Sequence, residues 1–363
     1  MKVKTSALAL FALTAVAGAA QAQSSVKLYG LINTDIGQYQ TAGAKKINGM
    51  QSGNMATSFW GISGAEDLGN GNKAIFAMEG FFLADSGAQG RFPGDTQFAR
   101  SAYVGLSGDW GLVKMGRNTN LTFLSLLLFN SFGDSFGFSP TILHYFTDQR
   151  GFGAKLEGDS GWSDSVTYMS PSFGGFKVNL QGAFAEGAAK GKSNFGGNVI
   201  YSAGPFGATV SYQTVGSTPA PAGGVGTTSF NTLKENTWTT GASYDFGVVK
   251  LFGQYGKIKD KIYNTENKIW SLSASVPVTA SGKILLAYGQ SKVTGINGTT
   301  FADTKRKTGS IAYDYNLSKR TDVYAVFMND KIPSFNTTNI GNPGNSNGNS
   351  KGNTFGVGIK HAF

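Results

Sequence analysis

The chain contains the stretch Phe176-Lys177-Val178-Asn179-Leu180-Gln181-Gly182-Ala183-Phe184, in which large apolar side chains alternate with polar or small ones. Alternation with a period of two places the two sets of side chains on opposite faces of an extended strand. The same period recurs from Val26 to Asn33, from Val249 to Tyr255 and from Thr354 to Phe363. These segments predict an all-β protein whose strands each have one apolar face and one polar or small face.

Short turns and long loops follow each other along the chain. Seven segments rich in Gly, Asp, Pro, Asn and Ser predict tight turns: 67–71, 107–111, 170–175, 203–207, 245–247, 277–282 and 316–320. Longer polar loops separate them. Short turns at one end and long loops at the other are typical of outer-membrane barrels. Because seven turns separate eight hairpins, we predict a transmembrane antiparallel β-barrel of about sixteen strands, with fourteen or eighteen as alternatives, short periplasmic turns and long outer loops.

The composition agrees with a barrel that faces lipid outside and water inside. Charged residues make up 14% of the chain and aromatic residues 13%, and 52 residues are glycine. A soluble globular protein carries roughly 25% charged residues. A soluble propeller would show a blade repeat of roughly 40 to 50 residues, which this sequence lacks. A soluble sandwich domain runs to about 100 residues, and no interdomain linker divides this chain.

The first residues predict export from the cytoplasm. Lys2 and Lys4 precede an apolar run from Ala7 to Ala17, and Ala20-Gln21-Ala22 has the small-residue pattern of a signal cleavage site. The run is much shorter than the roughly 20 residues of a membrane-spanning helix. We therefore expect residues 1–22 to be a cleaved signal peptide and residues 23–363 to form one outer-membrane barrel domain.

The charge balance is basic, with a formal net charge of +10, of which +8 remains when the two lysines of the signal peptide are removed. The sequence has no clustered basic patch and no nucleic-acid motif, so we expect no nucleic-acid partner. A lumen or rim that attracts anions is the better interpretation. There is no cysteine, so disulfides cannot stabilise the exported chain.

Several segments carry a family resemblance that spans residues 23–363 in order. They are Gln23–Gly30, Glu66–Gly69, Lys73–Phe76, Arg100–Gly108, Gly116-Arg117, Tyr168–Phe176 and His361–Phe363. They resemble the general porins of betaproteobacteria. The resemblance implies a sixteen-stranded homotrimeric channel in the outer membrane, in contact with its lipid and lipopolysaccharide. It also implies a third outer loop that folds inward and narrows the pore. Phe363 is a terminal aromatic residue of the kind that barrel precursors present to the outer-membrane assembly machinery, and we expect it to be that signal.

Residues 118–162 occupy the place of the third loop. A connection longer than about 15 residues is unusual unless it has a function, and a constriction loop inside the lumen supplies one. This loop is unusually apolar, with Phe123, Leu124, Leu126, Leu127, Leu128, Phe129, Phe132, Phe136 and Phe138. These side chains could pack the loop against the barrel wall as a small core. Alternatively they could form an apolar constriction for amphipathic solutes such as aromatic acids, and a disordered loop or a plug is a third option.

Charged residues on the polar faces of strands are candidates for lining the pore, because such charges set the barrier for a permeating ion. Strand parity places Lys27, Lys177, Lys250 and Glu79 on the polar face. Asp134 and Asp148 are acids of the third loop, and the family arrangement would place them opposite a basic wall.

Two arginines next to the third loop are further candidates. Arg100 shares strand parity with Ala102, and we expect it to point inward. Arg117 has the parity of Val113 and Met115, which predicts the lipid face unless it lies above the membrane or beyond a bulge.

The chain departs from the family beside these candidates. Where related sequences often carry an arginine two residues before a glycine, at the start of the second strand, this chain has Phe59. Arg100 is flanked by Ala99 and Ser101, where family members often have a second basic residue. These departures and the apolar third loop weaken any expectation of strong anion selectivity.

We interpret the chain as a passive diffusion channel for small hydrophilic solutes and ions, with a weak preference for anions. Two alternatives remain open at this stage. One is a channel that prefers amphipathic or aromatic acids. The other is a closed barrel that acts as an adhesin or receptor, which the apolar third loop and the Asn- and Gly-rich segment 340–353 would favour.

Catalysis finds little support in the sequence. A barrel hydrolase needs a Ser/His pair with an orienting group, and the chain has only two histidines, His144 and His361. Ser273 or Ser310 could lie near His361, but no spacing requires it. No metal-ligand cluster is visible, and we expect no enzymatic activity, cofactor or metal.

Overall fold

The computed structural model describes residues 25–147, 155–185, 193–216, 235–261, 264–295, 304–332 and 351–363. These residues form one antiparallel sheet of seventeen strand segments. The strands are β1 Ser25–Tyr39, β2 Ile47–Ser52, β3 Phe59–Gly69, β4 Asn72–Phe81, β5 Ser101–Gly108, β6 Gly111–Thr119, β7 Gly161–Met169, β8 Phe176–Ala183, β9 Asn194–Ala203, β10 Phe206–Val215, β11 Glu235–Asp245, β12 Lys250–Asp260, β13 Thr265–Pro277, β14 Gly282–Gly295, β15 Thr304–Asn316, β16 Thr321–Lys331 and β17 Lys351–Ala362.

The sheet closes into a barrel because β1 pairs along both of its edges. On one side β1 pairs with β17, from Leu31↔Ala362 to Gln38↔Phe355. On the other side its first half pairs with β3 and its second half with β2. Strands β2 and β3 are therefore two segments of one barrel strand, and the barrel has sixteen strands, as predicted.

All seven predicted turns join consecutive strands at the end of the barrel where β1 begins. In the first of them Gly69, Asn70 and Gly71 all have positive φ angles, which glycine adopts at little cost and asparagine tolerates. At the opposite end, the connection from β1 to β3 is longer, and within it Ile47–Ser52 forms β2, because its backbone pairs with the upper half of β1.

The alternation read from the sequence corresponds to the two faces of the barrel wall. Leu28 and Phe184 are each 66% exposed and point outward, whereas Asn33 and Asn179 are buried and point inward. The inward side chains of most strands are small or polar, as expected for a barrel with a hydrated lumen. No helix in the described ranges is long and apolar enough to cross a membrane.

The connection between β6 and β7 folds into the barrel and contains two short helices, α1 Leu121–Leu128 and α2 Pro140–Phe146. The side chain of Asn120 caps α1 by accepting a hydrogen bond from the Phe123 amide at 2.9 Å. Ser139 caps α2, whose first residue is Pro140, the position at which proline fits a helix best. Helix α1 lies against β8 to β11, and α2 lies against β13 to β15.

Apolar packing and polar contacts together hold this loop on the wall. Leu126, Phe138 and Ile142 are completely buried, and they pack with inward-facing residues of β12, β13 and β16. Small inward-facing hydroxyls bond the helices, as in the Thr141–Ser271 contact of 2.8 Å. The structure thus agrees with the interpretation in which the apolar residues of the third loop form a small core against the wall.

Candidate pore constriction

Four side chains form a cluster on the inner wall of β1 to β5, away from the strands that α1 and α2 cover. Arg100 forms a 2.5 Å salt bridge with Glu79, and the Tyr29 hydroxyl donates to the other Glu79 oxygen at 2.6 Å. The guanidinium of Arg100 also lies over the Phe59 ring, 3.9 Å from its centroid. The Glu79 side chain is 9% exposed and that of Arg100 is 35% exposed. The arginine is therefore the partner of this ion pair that is more open to the lumen water, and its charge is partly compensated.

Asp134 of the third loop lies near two cations of the wall, Arg100 and Lys360. Burial raises the pKa of the Asp134 carboxyl above its usual range, although the positive charges of Arg100 and Lys360 act in the opposite direction. Lys360 lies on β17 and forms a 2.8 Å salt bridge with Asp322. Arg100 and Lys360 on the wall therefore lie near enough to this carboxyl group of the loop for their charges to act on it.

A buried ion pair fixes the end of α2. Arg306 on β15 bonds Asp330 on β16 through two nitrogens, both at 2.9 Å, and the two side chains are almost fully buried. The same guanidinium donates to the carbonyl oxygen of Leu143 at 3.3 Å, in the last turn of α2, where a positive charge also interacts favourably with the helix dipole.

His144 follows Leu143 and reaches the same wall. Its ring nitrogens lie 2.7 Å from the Ser291 hydroxyl and 2.9 Å from the Thr308 hydroxyl. Complete burial lowers the pKa of His144 to about 3, so the imidazole is neutral in its ordinary pH range. These contacts show His144 as a residue that orients α2.

A second group of charges connects the second and third loops near the top of β6. Asp159 accepts from Arg91 at 2.7 Å and from Arg117 at 2.6 Å, and Arg91 also bonds Asp95. The two arginines hold the pKa of Asp159 at about 2, against the desolvation that would raise it. We call Arg91, Asp95, Arg117 and Asp159 the loop clamp.

Comparisons with known proteins agree on one family. The sequence profile described as Gram-negative porin matches residues 8–332. The chain belongs to the Gram-negative porin family. Outer membrane porin protein 32 of Delftia acidovorans is 32% identical over 345 residues, which cover 91% of this chain and 90% of that protein. An outer membrane porin protein of Bordetella pertussis is 27% identical and covers 99% of this chain and 100% of its own length.

Solved structures show the same fold. The anion-selective porin from Comamonas acidovorans superposes with a TM-score of 0.76 and 29% identity, covering 94% of this chain and all of that one. The trimer form of OmpT from Vibrio cholerae has a TM-score of 0.66 at 16% identity, over 94% of this chain and 99% of that one, and supports the fold alone. This porin is thus a multi-pass β-barrel of the outer membrane and a passive channel.

Arg100 points into the lumen of the porin, but not for the reason given by strand parity. Ala102 faces outward, so the predicted shared face was wrong. Strand β5 begins only at Ser101, and Arg100 precedes it. Alternation applies within a strand, so the direction of Arg100 is set by its contacts with Glu79 and Phe59.

Arg117 lies at a β-bulge between Gly116 and Asn118. Its parity predicted the lipid face unless a bulge interrupted the strand, and such a bulge is present. Its guanidinium bonds Asp159, the Ser163 hydroxyl and the Ala99 carbonyl. These contacts assign Arg117 to the loop clamp. The loop carboxyl group that the charges of Arg100 and Lys360 act on is a different one, Asp134.

Lys27, Lys177 and Lys250 have the inward parity that the sequence predicted, but they lie at the periplasmic ends of their strands and not at the level of Arg100. Four further inward-facing lysines lie within four residues of the periplasmic ends of their strands. The complete set, here called the periplasmic lysine ring, is Lys27, Lys73, Lys114, Lys177, Lys250, Lys283 and Lys360. Lys283 and Lys360 pair with Asp314 and Asp322, and within the described residues the other five form no salt bridge.

Sequence reasoning missed several of these lumen residues. Lys114 and Lys360 both have inward parity, and Lys114 lies 4.7 Å from the centre of the Tyr103 ring. Their parity was readable from the sequence. Phe59 was noted only as a departure from the family, but its ring supports the guanidinium of Arg100 at the constriction.

The remaining candidates have no common site. Asp148 and the segment 340–350 lie outside the described residues, as do residues 1–24. His361 faces outward and contacts the Thr321 hydroxyl, whereas Ser273 and Ser310 face inward and bond the third loop, so these residues form no Ser/His pair.

Phe363 exchanges backbone hydrogen bonds with Gly30 beside β1, and its role as an assembly signal stays a prediction. In the part of the chain that the structure describes, no group of three or more His, Cys, Asp and Glu side chains could hold a metal ion.

Proposed function

We propose that this porin is a weakly anion-selective channel for small hydrophilic solutes, whose selectivity arises chiefly in the periplasmic half of the lumen. The observation that carries the proposal is the distribution of compensated and uncompensated charge. At the constriction Glu79 bonds Arg100, and Asp134 adds a second carboxyl group. In the periplasmic lysine ring, five of the seven lysines have no salt bridge within the described residues.

Uncompensated charges on the wall produce ion selectivity because the low-dielectric protein around a narrow lumen concentrates their electric field inside it. Charges of one sign on its wall raise the local concentration of counter-ions. An ion that leaves bulk water loses hydration energy, and an uncompensated lysine lowers this barrier for anions and raises it for cations. A solved relative is described as an anion-selective porin, which is consistent with this preference.

We further propose that the protein is a homotrimer that associates through the outer wall of β1 to β6. Exposed tyrosines mark the lipid interface of outer-membrane barrels. Six outward-facing tyrosines are more than one third exposed, and they lie on β10 to β15: Tyr212, Tyr244, Tyr255, Tyr288, Tyr313 and Tyr315. The outward faces of β1 to β6 carry no tyrosine and present Leu28, Ile32, Val104 and Leu106. A wall without exposed tyrosines is suited to contact with another protomer.

Single-channel recording in a planar bilayer, with the reversal potential under a salt gradient, tests both proposals. We expect openings in groups of three and a reversal potential of the sign for anions. A cation-selective potential would refute the assignment of selectivity to the lysine ring. Folded protein that does not conduct would refute the open channel and favour a closed barrel.

A further inference from the structure

The third loop leaves part of its apolar surface open to the lumen. Helix α1 packs one side against the wall through Ser125 and Leu126, which are completely buried. Leu124 and Leu127 lie on the other side of the helix and are partly exposed, and Leu128 in the last turn is 46% exposed. Because α1 lies inside the barrel, the side turned away from the wall faces the lumen. Leucine side chains therefore meet a channel interior whose other surfaces are mainly polar or small.

Two phenylalanines extend this apolar surface. Phe136 and Phe146 are partly exposed, and they pack with Phe123 into a cluster of rings whose centroids lie between 5.3 and 5.9 Å apart. Leu127 packs against the same core as the two rings. An exposed apolar surface of this kind commonly marks a binding site. The residues that form it are here called the apolar strip: Leu124, Leu127, Leu128, Phe136 and Phe146.

The leucines of the strip follow the path that a permeating solute takes. Asn120, just before α1, bonds Gln213 at 2.9 Å near the outer end of β10. Phe129, just after α1, lies against Gly207 near the periplasmic end of the same strand, where a Cβ atom on the glycine would be 3.3 Å from the ring. Helix α1 therefore runs along β10 from its outer end toward its periplasmic end. A solute that crosses the channel passes along the exposed side of this helix.

Cations lie on the part of the inner wall that the two helices leave open. The Arg100 side chain is 35% exposed, and the Lys114 ammonium on β6 lies 4.7 Å from the centre of the Tyr103 ring. Glu79 bonds Arg100, and its charge also acts on Lys114, so the two cations belong to one region. Glu79 compensates part of the charge of Arg100, whereas Lys114 forms no salt bridge within the described residues. Positive charge thus remains available to a solute.

Asp134 connects the strip with these cations. Its carboxyl group lies near enough to Arg100 for the two charges to interact. Phe136 follows two residues later in the same loop, so the aromatic end of the strip lies at the same part of the lumen. An apolar surface on the loop and positive charges on the wall are complementary to an anion with an apolar body.

We propose that the constriction binds carboxylates that carry an apolar ring, with the ring on the apolar strip and the carboxylate toward Arg100 and Lys114. This inference rests on the proposed preference for anions and adds a choice among them. The ring gains free energy by leaving water, and the carboxylate accepts charge-assisted hydrogen bonds from the guanidinium and ammonium groups. A carboxylate whose ring carries hydroxyl groups loses the first contribution. An uncharged ring loses the second.

The test measures how benzoate, shikimate and benzyl alcohol reduce the chloride conductance of the full-length protein in a planar bilayer. Shikimate has the charge and the ring size of benzoate but carries hydroxyl groups, and benzyl alcohol has the ring without the charge. A solute that occupies the constriction obstructs chloride, so the half-blocking concentration reports binding. We expect benzoate to half-block at a concentration about fivefold or more below those of the other two solutes.

Two double variants locate the binding surface. Leu124→Gln/Leu128→Gln makes the exposed side of α1 polar with a residue that favours helix. It should raise the half-blocking concentration of benzoate about threefold or more and leave that of shikimate unchanged. The control Leu112→Gln/Met169→Gln makes the same kind of change at directly paired positions of the inner wall, at the periplasmic ends of β6 and β7, and should leave both values unchanged. Arg100→Gln should raise both values by the same factor.

Several outcomes would overturn the proposal. Equal half-blocking concentrations of benzoate and shikimate in the wild type would exclude a contribution from the apolar strip. A wild-type ratio in the variant of α1, or an equal loss in the control, would place the preference outside the third loop. If the double variant of α1 does not fold, Leu128→Gln alone replaces it, because this side chain is exposed.

The reversal potential in a gradient of potassium chloride, recorded in the same membranes, separates this proposal from the proposed function. A cation-selective potential refutes the proposed function. An anion-selective potential together with equal block by benzoate and shikimate refutes only the binding of apolar rings.

Discussion

The guanidinium of Arg100 lies over the ring of Phe59, with its central carbon 3.9 Å from the ring centroid. The two residues are 41 positions apart in the chain, and Glu79 from a third segment completes the arrangement with a 2.5 Å salt bridge. The aromatic ring and the carboxylate hold the arginine in one direction, and its exposed edge meets the pore. At this constriction a cation is oriented by an aromatic side chain, in a position where the family resemblance leads us to expect an arginine.

Opposite substitutions in this cluster should shift selectivity in opposite directions. Arg100→Gln removes the cation that pairs with Glu79 and one of the two that act on Asp134. We expect the anion-to-cation permeability ratio to fall about two- to fivefold, which corresponds to a change of ~0.5–1 kcal/mol in the barrier difference. Glu79→Gln should raise the ratio. Reversal potentials under a salt gradient measure both. A shift in the same direction for the two variants would show that they act by deforming the pore.

The periplasmic lysine ring should control conductance mainly at low ionic strength. We expect Lys27→Gln/Lys177→Gln/Lys250→Gln to reduce both the anion preference and the conductance in 0.1 M salt. The difference should become small in 1 M salt, because the screening length falls from about 10 Å to about 3 Å. Single-channel recordings at the two concentrations test this. An effect of equal size at both would point to a change in pore width.

The Arg306–Asp330 pair should be required for the stability of α2 on the wall. Removal of one partner leaves a buried charge without compensation, and we expect Arg306→Gln or Asp330→Asn to cost about 3–5 kcal/mol of unfolding free energy. The apolar replacement Arg306→Met/Asp330→Leu should recover much of this loss. Thermal or denaturant unfolding of the folded protein measures both, and current noise reports the loosening of the third loop. A single variant as stable as the wild type would exclude a structural role for the pair.

The loop clamp should lose its contribution to stability in acid. The pKa of Asp159 is lowered to about 2 in the folded protein, against about 3.9 in an unfolded chain. A lowered folded pKa means that the stabilisation is fully present above about pH 4 and is lost as the pH falls through about 2. The difference in melting temperature between the wild type and Asp159→Asn should therefore be constant above pH 5 and shrink toward pH 2. A difference that does not change with pH would show that the charge of Asp159 is unimportant.

Single cysteines can locate the protomer interface, because the chain has none of its own. We expect Val104→Cys on β5 to be protected from a lipid-soluble maleimide in the folded trimer. Leu272→Cys on β13 should react readily, and both should react after unfolding. Both side chains are exposed on the single barrel, so burial within the protomer does not distinguish them. Equal labelling of the two in the folded protein would refute an interface on β1 to β6.

Much of the fold could be predicted from sequence because lipid and water act on alternate residues of every strand. Leu28, Leu180, Leu251 and Val357 face outward as the pattern indicated, and the seven turns follow glycine and other turn residues. The helices of the third loop were not predicted, although Asn120 and the pair Ser139-Pro140 are ordinary helix starts. Their short length gave no clear helical period, and most of their stability comes from packing against the wall.

The sequence by itself determined the class of protein, the number of strands, the position of the inward-folded loop and the inward parity of Lys27, Lys177 and Lys250. Only the tertiary structure decided the direction of Arg100, the bulge at Arg117, the proximity of Asp134 to the charges of Arg100 and Lys360, and the cross-strand alignment of Lys257, Lys268, Lys292 and Lys305. The reason is physical. Alternation between lipid and water is local and repeats every two residues, so a single strand displays it. Bulges, cross-strand register and contacts across the lumen depend on how distant strands pair, and that relationship exists only after the barrel has closed.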